Sequence, residues 1–166
     1  MKRFLYLMIC LACILFLTGC SSSNLESVSF FYCRDPANYQ YFEEDGVIAS
    51  EERDLTGHHK DLQYLISLYL AGPLEEGLIS PFPRNVRLVE AKTLNSKVYI
   101  ELSDLGNSMS DSEFSLASVC LAKTCMPFSE TNAVTIKSGA RTITINMNNI
   151  LLIDNAIPET TEGGKQ

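Results

Sequence analysis

Apolar and polar positions along this chain fall into short stretches, some alternating and some spaced at helical intervals, set behind one unbroken apolar run at the start. From Glu26 to Cys33, Val28, Phe30 and Tyr32 alternate with Phe31 between them, which predicts a strand buried on at least one face. Arg34-Asp35-Pro36-Ala37-Asn38 predicts a turn, because proline fixes φ and the Asp and Asn side chains bond to nearby backbone. Tyr39-Gln40-Tyr41-Phe42 extends a strand and Asp45-Gly46 turns the chain into Val47-Ile48-Ala49, so the first unit is expected to be a hairpin. Leu62, Leu65, Ile66 and Tyr69 stand at i, i+3, i+4 and i+7 and predict a helix from about His58 to Ala71. Asp54 or Thr56 supplies its N-cap, and Gly72-Pro73 its stop, after which the chain turns through Gly77, Pro81 and Pro83.

Two strands follow, Val86–Val89 and Val98–Leu102, around a turn at Asn95-Ser96. Asp104 to Ser110 is a polar loop. A second helix is expected from Asp111 to about Met126, with acids at its positive end and Pro127 as its stop. Leu116, Cys120 and Lys123 or Thr124 mark its spacing. Val134–Ile136 and Thr142–Ile145 flank Ser138-Gly139, a hairpin signal. Ile150–Ile153 adds a last short strand, and 154–166, with no large apolar residue beyond Ile157, is expected to be disordered. The order ββαββαββ predicts an α+β fold, two helices packed on one face of a mainly antiparallel sheet.

The N-terminus changes how the chain is divided. Met1-Lys2-Arg3 is followed from Phe4 to Leu17 by fourteen uncharged residues, the profile of a secretory signal. The run is shorter than the roughly 20 residues that cross a bilayer. It ends in Leu17-Thr18-Gly19-Cys20, which resembles the bacterial lipobox, where the cysteine sulfur receives a diacylglyceryl group and the chain is cut before it. Residues 1–19 are therefore expected to be a cleaved signal peptide, 20–26 a short tether reaching on the order of 20 Å, 27–153 the domain and 154–166 a tail. Lipid on Cys20, palmitate among it, would hold the chain to the outer face of the cell membrane, since two or more acyl chains anchor stably.

Charge and cysteine usage narrow the partners. The formal net charge of −7 becomes −9 once Lys2 and Arg3 are removed, which disfavours nucleic acid and anionic headgroups. Cys33, Cys120 and Cys125 remain beside Cys20. Their spacing suits no zinc site, and they are expected to be small buried apolar residues, the alternative being a Cys33 bridge to one of the other two.

Catalytic chemistry is sparse. His58 and His59 are adjacent and point about 100° apart on a helix, so they cannot share an ion as an i, i+4 pair does; with Asp54 and Asp61 they make a solvated helix start rather than a metal site. No nucleophile elbow, Walker loop or dinucleotide fingerprint occurs. Glu43-Glu44-Asp45, Glu51-Glu52 and Glu75-Glu76 could serve glycoside hydrolysis, but each falls in an expected turn or element edge, where solvated charge is the default. Tyr39, Tyr41 and Phe42 pack the first hairpin or form an aromatic contact surface.

Leu70-Ala71-Gly72-Pro73, then Gly77-Leu78-Ile79-Ser80 and Pro83, resembles the helix-end signature of the GerMN domain of sporulation and spore-germination proteins. Val98 to Ser103 is similar to that family's strand ending in Leu-Ser, and Val119–Thr124, Val134–Ile136 and Gly139 to its second helix and final hairpin. The likeness spans roughly 27–147, one copy of the domain. Leu105 stands where the family has an aromatic, and Ser138 where it has an acid. The resemblance implies structural roles for Gly72, Pro73, Ser103 and Gly139, and the sparse catalytic chemistry gives the expectation of no cofactor, no metal and no catalysis. It also implies a membrane-tethered module that binds an extracytoplasmic protein in an envelope complex of sporulation or germination. A module binding cell-wall glycan or peptide is the alternative, and an envelope hydrolase a third.

Overall fold

The computed structural model describes residues 27–37, 46–58 and 61–148. Cys20 with its signal and tether, the Tyr39–Phe42 segment, His59, the strand expected at 150–153 and the tail lie outside the described residues.

β1 (Ser27–Arg34) pairs antiparallel with β2 (Ile48–Asp54), Phe30 facing Glu51 across the ladder. The first pair is thus antiparallel as expected, but its second strand runs past Ala49 through the acidic stretch. On its other edge β1 takes β3 (Leu78–Ile79), two residues in a Gly- and Pro-punctuated run in which no strand was expected. A second sheet is ordered β4 (Leu88–Leu94), β5 (Lys97–Leu102), β6 (Ala133–Ser138), β7 (Arg141–Asn146). Its pairs are antiparallel except β5–β6, which is parallel because a helix carries the chain between them. The fold is α+β with mainly antiparallel pairing, its strands divided between two sheets where one was expected.

α1 (Leu62–Leu70) packs on β4 and on α2 (Asp111–Phe128), and α2 packs on β1, β6 and β7, so it joins the two sheets. The join includes a hydrogen bond from the Phe31 N–H to Thr124 Oγ1 (2.9 Å). The N-cap of α1 is Asp61, whose Oδ1 accepts from the Tyr64 N–H (2.9 Å), rather than Asp54 or Thr56. Asp54 instead accepts from the Thr56 N–H (2.7 Å) and closes the turn after β2, which delays the helix to Leu62. α2 begins on a capping box between Ser110 and Glu113 and continues through Pro127 to Phe128. A proline in the last turn removes one N–H but leaves the end closed, since Ser129 N–H donates to the Cys125 carbonyl (3.0 Å).

Phe30, Tyr32, Leu65, Ile66 and Tyr69 are fully buried and join the strands of both sheets in one core. Tyr32 stacks on Tyr69 at 4.8 Å between centroids and Phe82 meets Tyr69 edge-on at 6.4 Å. Cys33, Cys120 and Cys125 are free thiols inside this core, the small-apolar role expected of them.

Candidate interaction site

β2 alternates as a half-buried strand does, yet its inward positions are Glu51 and Arg53, with Glu52 and Asp54 outward. Glu51 is 5 % and Arg53 7 % exposed, so the expectation of solvated acids fails at Glu51. The two side chains form an ion pair, with Arg53 Nε donating to Glu51 Oε1 at 2.6 Å. The guanidinium lies over the rings of Phe30 (4.7 Å) and Tyr32 (5.7 Å).

Both partners are aimed at the end of α1. Arg53 Nη2 donates to the Gly72 carbonyl (2.6 Å) and Nη1 to the Leu68 carbonyl (3.3 Å), so a cation meets the negative end of the helix dipole. The Tyr32 hydroxyl donates to the Tyr69 carbonyl (3.0 Å), which also accepts from the Gly72 N–H (3.0 Å). Burial holds the Tyr32 phenol above its ordinary pKa, so it remains a donor. Gly72 takes φ +97°, the left-handed conformation that ends a helix, and Pro73 prevents its continuation. Glu51 then accepts from the next two backbone groups, Leu74 N–H (2.9 Å) and Glu75 N–H (2.7 Å).

The result is a loop whose backbone is held from inside and whose side chains face out. Leu74 is 82 % exposed, and Glu75 and Glu76 beside it are exposed as well. Next to it a groove of about 720 Å³ is walled by Leu70, Pro73, Leu78, Ile79 and Phe82, with Arg84 among the lining residues. Phe82 is buried, while Ile79 is 41 % exposed.

The second group of motif residues is a local brace. Ser103 Oγ accepts from the Arg87 N–H (3.0 Å), and Ser103 N–H donates to the Arg87 carbonyl (2.8 Å), securing the approach to β4. Ser138 Oγ donates to the Ser103 carbonyl (2.8 Å) and accepts from the Leu105 N–H (3.0 Å), while the Leu105 side chain is buried. Gly139 (φ +58°) lets the β6–β7 turn pass so close to Asp104 that an added Cβ would lie 2.4 Å from Asp104 Oδ1. Gly72, Pro73, Ser103 and Gly139 thus fall into two separate structural clusters, not one site.

The remaining candidates stay apart. The His58 ring stacks on Tyr64 (3.9 Å) and its Nδ1 lies 4.0 Å from Asp61 Oδ2, at a half-exposed helix start. Among the described residues no three His, Cys, Asp or Glu side chains are grouped to hold a metal ion. Burial raises the Cys125 thiol, and a hydrogen bond with Cys33 together with burial raises Cys120, so both remain protonated near neutral pH. Sequence reasoning missed the Glu51–Arg53 pair. Its signal was present as an alternation of positions, hidden because the inward residues are charged.

No family model and no curated protein matches the chain. Two solved structures are similar to it. One holds the tandem GerMN domains of the sporulation protein GerM from Bacillus subtilis, with TM-score 0.48 and 19 % identity over 69 % of this chain. This chain spans 39 % of that protein's length. The other is a lipoprotein candidate from Clostridium perfringens, with TM-score 0.45, 17 % identity, and coverage of 74 % of this chain and 88 % of that one. Among the described residues no helix is long and apolar enough to cross a membrane.

Proposed function

We propose that this protein is a single-copy GerMN-like lipoprotein, anchored through Cys20 on the extracytoplasmic face of the membrane. There it acts as a non-catalytic protein-interaction module in an envelope complex of sporulation or germination. The observation that carries the reading is the Gly72–Glu75 loop. A buried ion pair costs desolvation and seldom adds net stability, so its use to fix a surface loop points to selection for the shape of that loop. An exposed leucine beside a groove with apolar walls and a basic residue at its edge is a surface a protein partner can use. The motif resemblance around Gly72-Pro73 and the Leu17–Cys20 lipobox support the family and the anchor.

Mild crosslinking in native membranes followed by affinity purification tests the module. A specific extracytoplasmic protein is expected, and its capture is expected to fall at least tenfold on Leu74→Asp. Capture that is unaffected by this change, or sedimentation with purified peptidoglycan in place of a protein partner, overturns the reading. Palmitate labelling tests the anchor separately: label is expected on the native chain and lost on Cys20→Ala.

A further inference from the structure

Leu74, Glu75 and Glu76 form a projection with an apolar tip and an acidic flank, all three exposed. The neighbouring groove is its chemical complement, apolar along Leu70, Pro73, Leu78 and Ile79 and basic at the exposed Arg84. Among the described residues Glu75, Glu76 and Arg84 make no side-chain ion pair or hydrogen bond, so these charges are available to a partner. Projection and groove share one loop, meeting at Pro73. A surface that carries both a shape and its complement side by side is self-complementary, which is the requirement of a twofold contact.

We propose that a second copy of this chain docks here, each copy seating its Leu74 in the other's groove and setting Glu75 and Glu76 against the other's Arg84. This deepens the interaction-module reading and rests on it. The contact is closed, since both copies use the same face and leave no projection free to propagate. Anchoring on a membrane would favour it further by raising the local concentration of copies.

The test uses the full chain, purified from membranes in detergent, with mass measured by light scattering and copies linked by short crosslinkers. Native chain is expected at twice the monomer mass. Leu74→Asp is expected to be monomeric with an unchanged far-UV circular dichroism spectrum, because that side chain packs on little of its own molecule, and to lose the concentration dependence of its thermal midpoint that a dimer confers. Arg84→Glu alone, and Glu75→Arg/Glu76→Arg alone, are each expected to weaken self-association at least tenfold. Mixed together, these two variants restore a dimer, since every facing charge is again opposite. A native chain that is monomeric across the accessible concentrations overturns the proposal, as does a dimer indifferent to all three variants. Capture of a different envelope protein that is lost on Leu74→Asp, with the native chain monomeric, overturns the homotypic contact and leaves the interaction module standing.

Discussion

Glu51 and Arg53 show how two charged side chains can occupy a core face. Arg53 finds Glu51, two helix-end carbonyls and two aromatic faces, and Glu51 finds Arg53 and two loop N–H groups. With four guanidinium hydrogen bonds and both carboxylate oxygens engaged, the cost of taking the charges out of water is largely offset. Removing one partner leaves the other buried and unpaired, so Glu51→Ala is expected to lower unfolding free energy by about 3–5 kcal/mol. Replacing both, as Glu51→Leu/Arg53→Met, is expected to cost much less while loosening the loop. Urea unfolding measures the first effect and amide exchange at Leu74 and Glu75 the second. Carboxyls on the surface set the acid limit. Hydrogen bonds from Ser27 and Ser29 hold Glu52 below its ordinary value, and those from the Ser110 backbone and hydroxyl do the same for Glu113. A depressed carboxyl contributes stability above its unfolded pKa and loses it as pH falls through the folded value. The urea midpoint is therefore expected to be steady from neutral pH to about pH 5 and to decline below about pH 4. A carboxyl titration by NMR in Ser27→Ala/Ser29→Ala should return Glu52 toward an ordinary value.

At the scale of elements, backbone conformation decides where helices and hairpins end. Asn95 (φ +52°) and Ser96 (φ +57°) form the β4–β5 turn with both residues left-handed, as a two-residue hairpin turn requires. Ser96→Gly relieves a side chain of that conformation and is expected to stabilise by about 0.5–1 kcal/mol. The motif glycines should differ from one another. A Cβ on Gly72 meets nothing within 4 Å, so Gly72→Ala carries only the left-handed backbone penalty, about 1–2 kcal/mol. Gly139→Ala carries a similar penalty and also displaces Asp104 from its bond to the Gly106 N–H (2.9 Å), so it is expected to cost more. Asp104→Ala should remove that excess, and a double-mutant cycle by thermal or urea unfolding reads it directly. Sequence periodicity placed α1, α2 and the β6–β7 hairpin well, because Leu65, Ile66, Tyr69 and Ile136 mark faces by hydropathy alone. Their ends were less legible, since Asp54, Thr56 and Asp61 are all chemically able to cap and only the path of the chain after β2 selects Asp61.

For the whole molecule, the central fact is that α2 ties two sheets together. Its buried face is set on β1 at one side and on β6 and β7 at the other, so the β1–β2–β3 sheet owes its position to the helix rather than to a shared ladder. Thr124 is expected to matter beyond its size. Its hydroxyl accepts from the Phe31 N–H and donates to the Cys120 carbonyl (3.1 Å), so Thr124→Val leaves a β1 donor without its acceptor. A loss of about 1–3 kcal/mol in urea unfolding is expected. Thr124→Ser, which keeps the hydroxyl, should recover part of it.

Among the described residues, the sequence by itself determined the α+β class, the kind and order of the long elements, the turns at Asn95 and Gly139 and the burial of Cys33, Cys120 and Cys125. Each follows from local chemistry: apolar spacing, the φ preferences of glycine and proline, and the apolar character of a thiol. The apolar Phe4–Leu17 run and Cys20 carry the expectation of a leader and an anchor on the same local terms. Tertiary structure alone decided that the strands form two sheets, that β5 and β6 run parallel, and that Leu78–Ile79 pairs with β1. It alone buried Glu51 and Arg53 against the end of α1 and left Leu74 exposed above a groove. Those outcomes depend on groups distant in sequence meeting one another, and a charge becomes a core residue only when the fold brings its partners to it.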